Sequence, residues 1–238
     1  MRPNFKITMV TKKDTTEERI EAVESALSKT ERFIETNQKI LTIVIGGIIL
    51  VILLFFGFKK FISGPREKKA QTAMFKAEYY FEKDSLNLAL EGDGENDGFL
   101  DIADKYSWTK SGNLAKYYAG VCYLNKGEYQ KAIDFLKKFK SDDIIVSGMA
   151  LGAIGDAYMS LNNSSKAVDY YLQAAEKKQN DFVSPVYMLK AGWAYEVMKE
   201  WGKAKEIYER IKKEFPQARE ARDIDKYLAR AKANLGEL

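Results

Sequence analysis

The stretch LAKYYAGVCYLNKGEYQKAIDFLKKF, Leu114–Phe139, decides the fold because it recurs. MALGAIGDAYMSLNNSSKAVDYYLQAA runs from Met149, and VYMLKAGWAYEVMKEWGKAKEIYERIKKEFP from Val186. Gly120, Gly155 and Gly192 stand 35 and then 37 residues apart. In every copy an aromatic follows the glycine by three residues (Tyr123, Tyr158, Tyr195), and an alanine comes nine further on (Ala132, Ala167, Ala204), just after Lys131, Lys166 or Lys203. A period of this length is the mark of stacked supersecondary units, none of which buries its apolar face alone. Each copy reads as a helix, a turn rich in Gly or Asn (LNKGE, LNNSS, MKEWG) and a second helix. The small Gly and Ala positions let two helices approach closely, while Tyr and Leu fill the space between units.

The matches in residue type and spacing resemble the tetratricopeptide repeat, which implies an all-α helical solenoid with units at 113–147, 148–184 and 185–217. The usual Trp of the first helix is absent, with Lys116, Leu151 and Met188 in its place. Upstream, within 70–112, QTAMFKAEYYFEKDSLNLAL and FLDIADKY read as a degenerate helical pair separated by the polar loop EGDGENDG. Downstream, EARDIDKYLARAKANL, within 218–238, reads as an amphipathic helix capping the array, which otherwise ends on an exposed hydrophobic face.

The other decisive block is Ile40–Phe58, 19 residues without a charge between Lys39 and Lys59. As a helix it extends about 28 Å, close to the roughly 30 Å hydrocarbon thickness of a bilayer. A core helix apolar on every face would leave nothing for water. A cleavable signal is disfavoured by the 39 residues before the block and by Phe61 and Ile62 where small residues would precede a cut. The expectation is a retained transmembrane helix at 40–58, followed by a basic linker at 59–69. In the tail at 1–39, Thr15 and Glu18 form a capping box, and Ile20, Val23, Leu27 and Ile34 fall on one stripe beside Ala22 and Ala26. That narrow amphipathic helix either lies solvated near the headgroups or docks a membrane partner.

Flanking charge bears on orientation. Lys29, Arg32 and Lys39 precede the span, whereas Lys59, Lys60, Arg66, Lys68, Lys69 and Lys76 follow it, a local count that favours a cytoplasmic C-terminal domain. Against it, large domains translocate regardless of charge, and five further basic residues lie earlier in the tail. Charge alone leaves the side open.

Composition excludes much chemistry. The 238 residues contain no histidine, which removes imidazole bases, Ser-His and Cys-His nucleophile pairs and His-bearing zinc sites. No P-loop, dinucleotide fingerprint or hydrolase elbow is present. The one cysteine, Cys122, has no intrachain partner for a disulfide and does not identify the compartment. Residues 61–238 carry 28 Lys/Arg against 27 Asp/Glu, unlike a nucleic-acid binder. No catalytic residue, cofactor or small-molecule substrate is expected.

Two places remain as candidate sites. Asp93, Glu95, Asp97, Asp101 and Asp104 take the first, third, fifth, ninth and twelfth places of an EF-hand-like frame, with Gly98 at the sixth. The twelfth place lacks the longer bidentate Glu, so a solvated acidic loop is the plainer reading beside weak calcium binding. Asp142 and Asp143 read as a charged turn. The second place is a partner groove on the first helices of the repeats, formed by Leu114, Tyr117, Val121, Met149, Asp156, Leu189 and Trp193. It lacks the Lys/Asn set with which some tetratricopeptide proteins clamp a terminal carboxylate, and some of its members could equally be packing residues.

With the order of parts, the stretches ERFIETNQKILTIVIGG entering the span, AQTAMFKAEYYF, and FLDIADKYSWTKSGNLAKYYAG carry a further likeness. Together they resemble the YfgM-like family of ancillary subunits of the bacterial Sec translocon. It implies a cytoplasmic tail, a single pass through the inner membrane and a periplasmic repeat domain. It also implies contact with Sec translocon subunits, periplasmic chaperones or emerging polypeptides, and no catalysis. A scaffold of another envelope machine, in outer-membrane assembly or division, and a cytoplasm-facing adaptor are the alternatives.

Overall fold

The structure is a computed structural model; it describes residues 14–177 and 179–237, the first part of the N-terminal helix as backbone only. The chain separates into two compact units, Met1–Ile62 and Ser63–Leu238. In the first, one helix runs without interruption through α1, Asp14–Phe58. The side chains of Thr15, Glu18, Ala22 and Ala26, from the expected cap and stripe, lie outside those described. The large apolar residues from Ile43 to Phe58 are exposed, and by length and composition this helix is long and apolar enough to cross a membrane. Its polar groups close on the helix itself: the Thr42 hydroxyl donates to the Gln38 carbonyl at 2.8 Å, as a helix in hydrocarbon requires.

The stretch expected as a basic linker, 59–69, is helical. A π-helical turn at Lys59–Ser63 is followed by α2, Gly64–Glu82, with Pro65 in its first turn, where the missing N–H costs nothing.

The second unit is all-helical, and among its described residues the backbone pairing outside helices includes one isolated bridge, Gly92 to Asp97. After α2 come α3 (Leu86–Glu91), α4 (Phe99–Lys105), α5 (Lys110–Asn125) and α6 (Tyr129–Lys138). They are followed by α7 (Ile144–Ser160), α8 (Ser164–Glu176), α9 (Ser184–Val197), α10 (Trp201–Glu214) and α11 (Ile224–Leu235). The three repeats seen in the sequence are the hairpins α5–α6, α7–α8 and α9–α10.

Each hairpin closes in the same way. At the turn, Gly127, Asn162 and Lys199 take a left-handed backbone, with φ of 78°, 58° and 59°. The next residue's N–H reaches back five residues in each case: Glu128 to Tyr123, Asn163 to Tyr158, Glu200 to Tyr195. This is the Schellman closure that satisfies the last carbonyls of the first helix. Within the hairpin, the glycine of the first helix lies against the residue sixteen further on. A Cβ on Gly120, Gly155 or Gly192 would run into Leu136, Tyr171 or Tyr208 respectively. The close approach is therefore written once per repeat.

The pair expected at 70–112 is organised differently. α2 and α3 form a hairpin of their own, closed at Asp84, φ 55°, with the Ser85 N–H bonded to the Tyr80 carbonyl. Ala77, Tyr80, Asp84 and Ala89 occupy the places of Gly120, Tyr123, Gly127 and Ala132. This is a further copy of the same hairpin whose second helix is cut to six residues, and α4 belongs to an insert between it and α5.

Packing follows the order of the chain. One core cluster joins α2 to α6 around Phe99, Ile102 and Cys122, a second joins α6 to α9, and a third joins α8 to α11 around Tyr208, Ile211 and Ile224. α11 covers the last hairpin with Ile224 and Leu228. Ion pairs stitch successive units across 34 residues: Asp156 with Lys190, Glu176 with Arg210, and Glu196 with Arg230.

Candidate functional site

The seven groove positions all lie on first helices: Leu114, Tyr117 and Val121 on α5, Met149 and Asp156 on α7, Leu189 and Trp193 on α9. Their spacings of three, four and seven residues keep each set on one face of its helix. They differ in exposure. Met149 is 43% and Trp193 40% exposed, whereas Leu114, Tyr117 and Val121 are partly buried against the cores, and Leu189 is buried. Leu189 thus packs within the last core cluster more than it faces solvent.

Asp156 sits in a built network. Its carboxylate accepts from the Tyr171 hydroxyl at 2.7 Å and from the Lys190 ammonium at 2.8 Å on both oxygens. The same ammonium lies over the rings of Tyr171 and Tyr187, at 5.8 and 5.5 Å from their centroids. Burial, then the Asp156 charge, pushes the Tyr171 and Tyr187 hydroxyls well above the usual phenol range. Both stay neutral donors at any physiological pH. The Tyr187 ring fits over Gly152, where a Cβ would collide with it. The carboxylate and the ammonium balance one another between a buried phenol, Tyr171, and a partly exposed one, Tyr187, so this middle part of the stripe carries no uncompensated charge.

Towards the C-terminal end, Trp193 meets Tyr227 of α11 edge to face at 5.9 Å. With Leu189 they line a cleft of about 280 Å³ whose remaining walls are Arg219, Glu220, Arg222 and Asp223. At the other end Tyr117 packs against Phe139 at 5.5 Å. Lys190, Tyr187 and Tyr227 were outside the sequence-predicted set. Lys190 directly follows Leu189, but only the geometry shows that it reaches back across 34 residues to Asp156.

The acidic loop does not assemble as a metal frame. Asp93 turns inward on its own loop, accepting from Tyr80 at 2.6 Å, from the Asn96 side chain, and from the N–H groups of Glu95 and Asn96. These hydrogen bonds, led by the one from Tyr80, hold its carboxyl well below the usual range. Asp97 pairs with Lys105 at 2.6 Å. Asp101 and Asp104 are on exposed positions of α4, and no group of three or more metal-ligating side chains forms among the described residues. The carboxylates at 93 and 97 close the loop, and the bridge at Gly92 finishes it.

Comparison with known proteins matches this geometry. A tetratricopeptide repeat family model covers residues 114–143 and 187–218, and a second tetratricopeptide repeat model covers 150–181. The three hairpins are tetratricopeptide repeats, and the chain has the character of a protein–protein interaction scaffold. No curated protein matches the sequence. Among solved structures, the chain is similar to the MamA protein, with a TM-score of 0.52 and 20% identity, over 71% of this chain and 83% of that one. It is also similar to a point variant of nearly identical TPR-like repeats of a kinesin light chain from Podosopora anserina. There the TM-score is 0.54 and the identity 15%, over 72% of this chain and 88% of that one. At these identities the likeness is one of fold.

Proposed function

We propose that this chain is a non-catalytic, single-pass inner-membrane protein whose periplasmic repeat array docks protein partners at the exit of the Sec translocon. The observation that carries the reading is the stripe of apolar and aromatic side chains on the first helices of consecutive repeats, with its one carboxylate neutralised by Lys190. Such a stripe suits an extended or helical peptide segment, and Trp193 is its large half-exposed aromatic, the residue type that dominates binding hot spots. The unburied apolar helix supports the anchor. The resemblance of the tail, span, exit and repeats to YfgM-like translocon subunits supports the location and the partner class: Sec subunits, periplasmic chaperones or emerging polypeptides.

Anchoring changes what affinity the groove needs. A domain held at the membrane meets its partner at a high effective concentration, so weak contacts suffice. Purification from gently solubilised membranes tests the partner: Sec subunits accompany the protein, and their consistent absence overturns this assignment in favour of another envelope machine. A second reading, a cytoplasm-facing adaptor, is favoured by the basic residues Lys59, Lys60, Arg66, Lys68, Lys69 and Lys76 after the span. Protease added to spheroplasts separates the two, because it digests a periplasmic array and spares a cytoplasmic one.

A further inference from the structure

A second cleft lies on the face of α7 turned away from the groove, and shares with it only Phe139, which packs on Tyr117. On α7, at about 100° per residue, Met149, Gly152 and Asp156 fall on the groove face, while Ser147, Ala150, Leu151 and Ile154 fall on the opposite one. Those opposite residues floor a cleft of about 370 Å³ between α6, the segment after it, α7 and the end of α8. Phe139 and Tyr170 complete its apolar walls, and Lys137, Lys140 and Lys177 stand around it.

The three ammonium groups have no carboxylate within ion-pair distance among the described residues. Lys137 donates to the Tyr158 hydroxyl at 3.3 Å and lies over the rings of Tyr158 and Tyr170, 5.7 Å from each. Lys140 and Lys177 line the rim, and the other charged lining residue is Asp142, which makes no ion pair among the described residues. α7 contributes no charge to the cleft, leaving three positive groups against one negative. The rim is also fixed in place. Asn113 of α5 clamps the backbone of Lys140 from both sides, donating to its carbonyl at 2.6 Å and accepting from its N–H at 3.2 Å. The adjoining depression shares Leu151 and Lys177 but carries Asp169 and Glu176, the latter held by Arg210. The cationic end is therefore the one at Lys137 and Lys140.

We infer that this cleft is a second docking site, for an acidic peptide segment that carries one large apolar side chain between carboxylates. The floor takes the apolar side chain, and the lysines take the flanking carboxylates. The size argues for a short segment, since the space is at the low end of ligand-sized cavities.

The test uses the full-length protein in neutral detergent micelles and a fluorescein-labelled GDEFDEG peptide, read by fluorescence anisotropy. Binding is expected to weaken steeply with added salt. K140E/K177E, two rim positions outside the core clusters, is expected to weaken it about tenfold with an unchanged melting curve. Replacing the peptide's Phe by Ala is expected to weaken binding about as much, and Trp193→Ala in the protein is expected to leave it unchanged. The inference is overturned if K140E/K177E binds as well as the parent, or if Trp193→Ala abolishes binding, which would place the peptide in the groove. It is also overturned if the Phe-less peptide, pyrophosphate or anionic lipid vesicles compete as well as GDEFDEG does. The Trp193→Ala arm separates this site from the groove, so either can fail alone.

Discussion

Gly120, Gly155 and Gly192 hold their hairpins closed by having no side chain, because Leu136, Tyr171 and Tyr208 occupy the space where a Cβ would stand. Gly155→Ala should therefore cost about 1–3 kcal/mol through overpacking. Gly202 is in a helix with open space around it, so Gly202→Ala should gain about 0.4–1 kcal/mol. Urea denaturation of the two variants reads opposite signs. Cys122 gives a second residue-scale outcome. Its burial pushes the thiol up to about 12, against an ordinary value near 8.5. Between those two values the unfolded chain has lost the thiol proton and the folded one keeps it. This contribution to stability is thus present below about pH 8.5 and lost as pH rises towards 12. The buried phenols of Tyr171, Tyr187 and Tyr208 act with the same sign above about pH 10. Melting temperature should fall through this alkaline range, and Cys122→Ala should flatten its first part. Nor should the thiol of the folded protein react readily with Ellman's reagent at pH 8.

At the scale of elements, one carboxylate joins parts of the chain distant in sequence. Glu67 of α2 accepts from the N–H groups of Lys110 and Ser111 at 2.7 and 3.2 Å and from the Ser111 hydroxyl at 2.7 Å. The Thr109 side chain takes the Gly112 N–H, so the first donors of α5 are satisfied. Glu67→Ala leaves two of these donors without their partner and should cost about 2 kcal/mol, measured by denaturation. The hairpin turns offer the reverse case. Lys199 carries a left-handed backbone that costs a side-chain-bearing residue about 1–2 kcal/mol, and glycine returns part of that as chain entropy. Lys199→Gly should gain about 0.5 kcal/mol in the same assay. These elements also mark what was legible in the sequence. Gly120, Gly155 and Gly192 announced three hairpins because period and residue type agreed. The α2–α3 hairpin kept the same frame with Ala77, Tyr80, Asp84 and Ala89, but alanine is too common to mark a close approach, and the insert spoiled the period. The first-helix placement of Leu114, Tyr117, Val121, Met149, Asp156, Leu189 and Trp193 was legible because the repeat frame fixes it. The neutralising reach of Lys190 was not, because the pairing depends on how one repeat is rotated on the next.

The whole molecule combines an apolar helix of membrane length with a helical repeat array whose first-helix stripe has its one carboxylate, Asp156, paired with Lys190. Cores overlap along the chain, and α11 covers the end with Ile224 and Leu228, so the array has no need of a partner to bury its last hairpin. The surface proposed for docking is the stripe on the first helices, where Met149 and Trp193 are the exposed apolar members. The central claim, that the groove binds export machinery at the membrane, is tested most directly by crosslinking from a photoreactive residue at position 193 in intact membranes, with the exposed position 213 as control. Adducts containing Sec translocon subunits or their associated chaperones are expected from 193 and none from 213. Identical adducts from both positions, or none containing export components from 193, would contradict that claim.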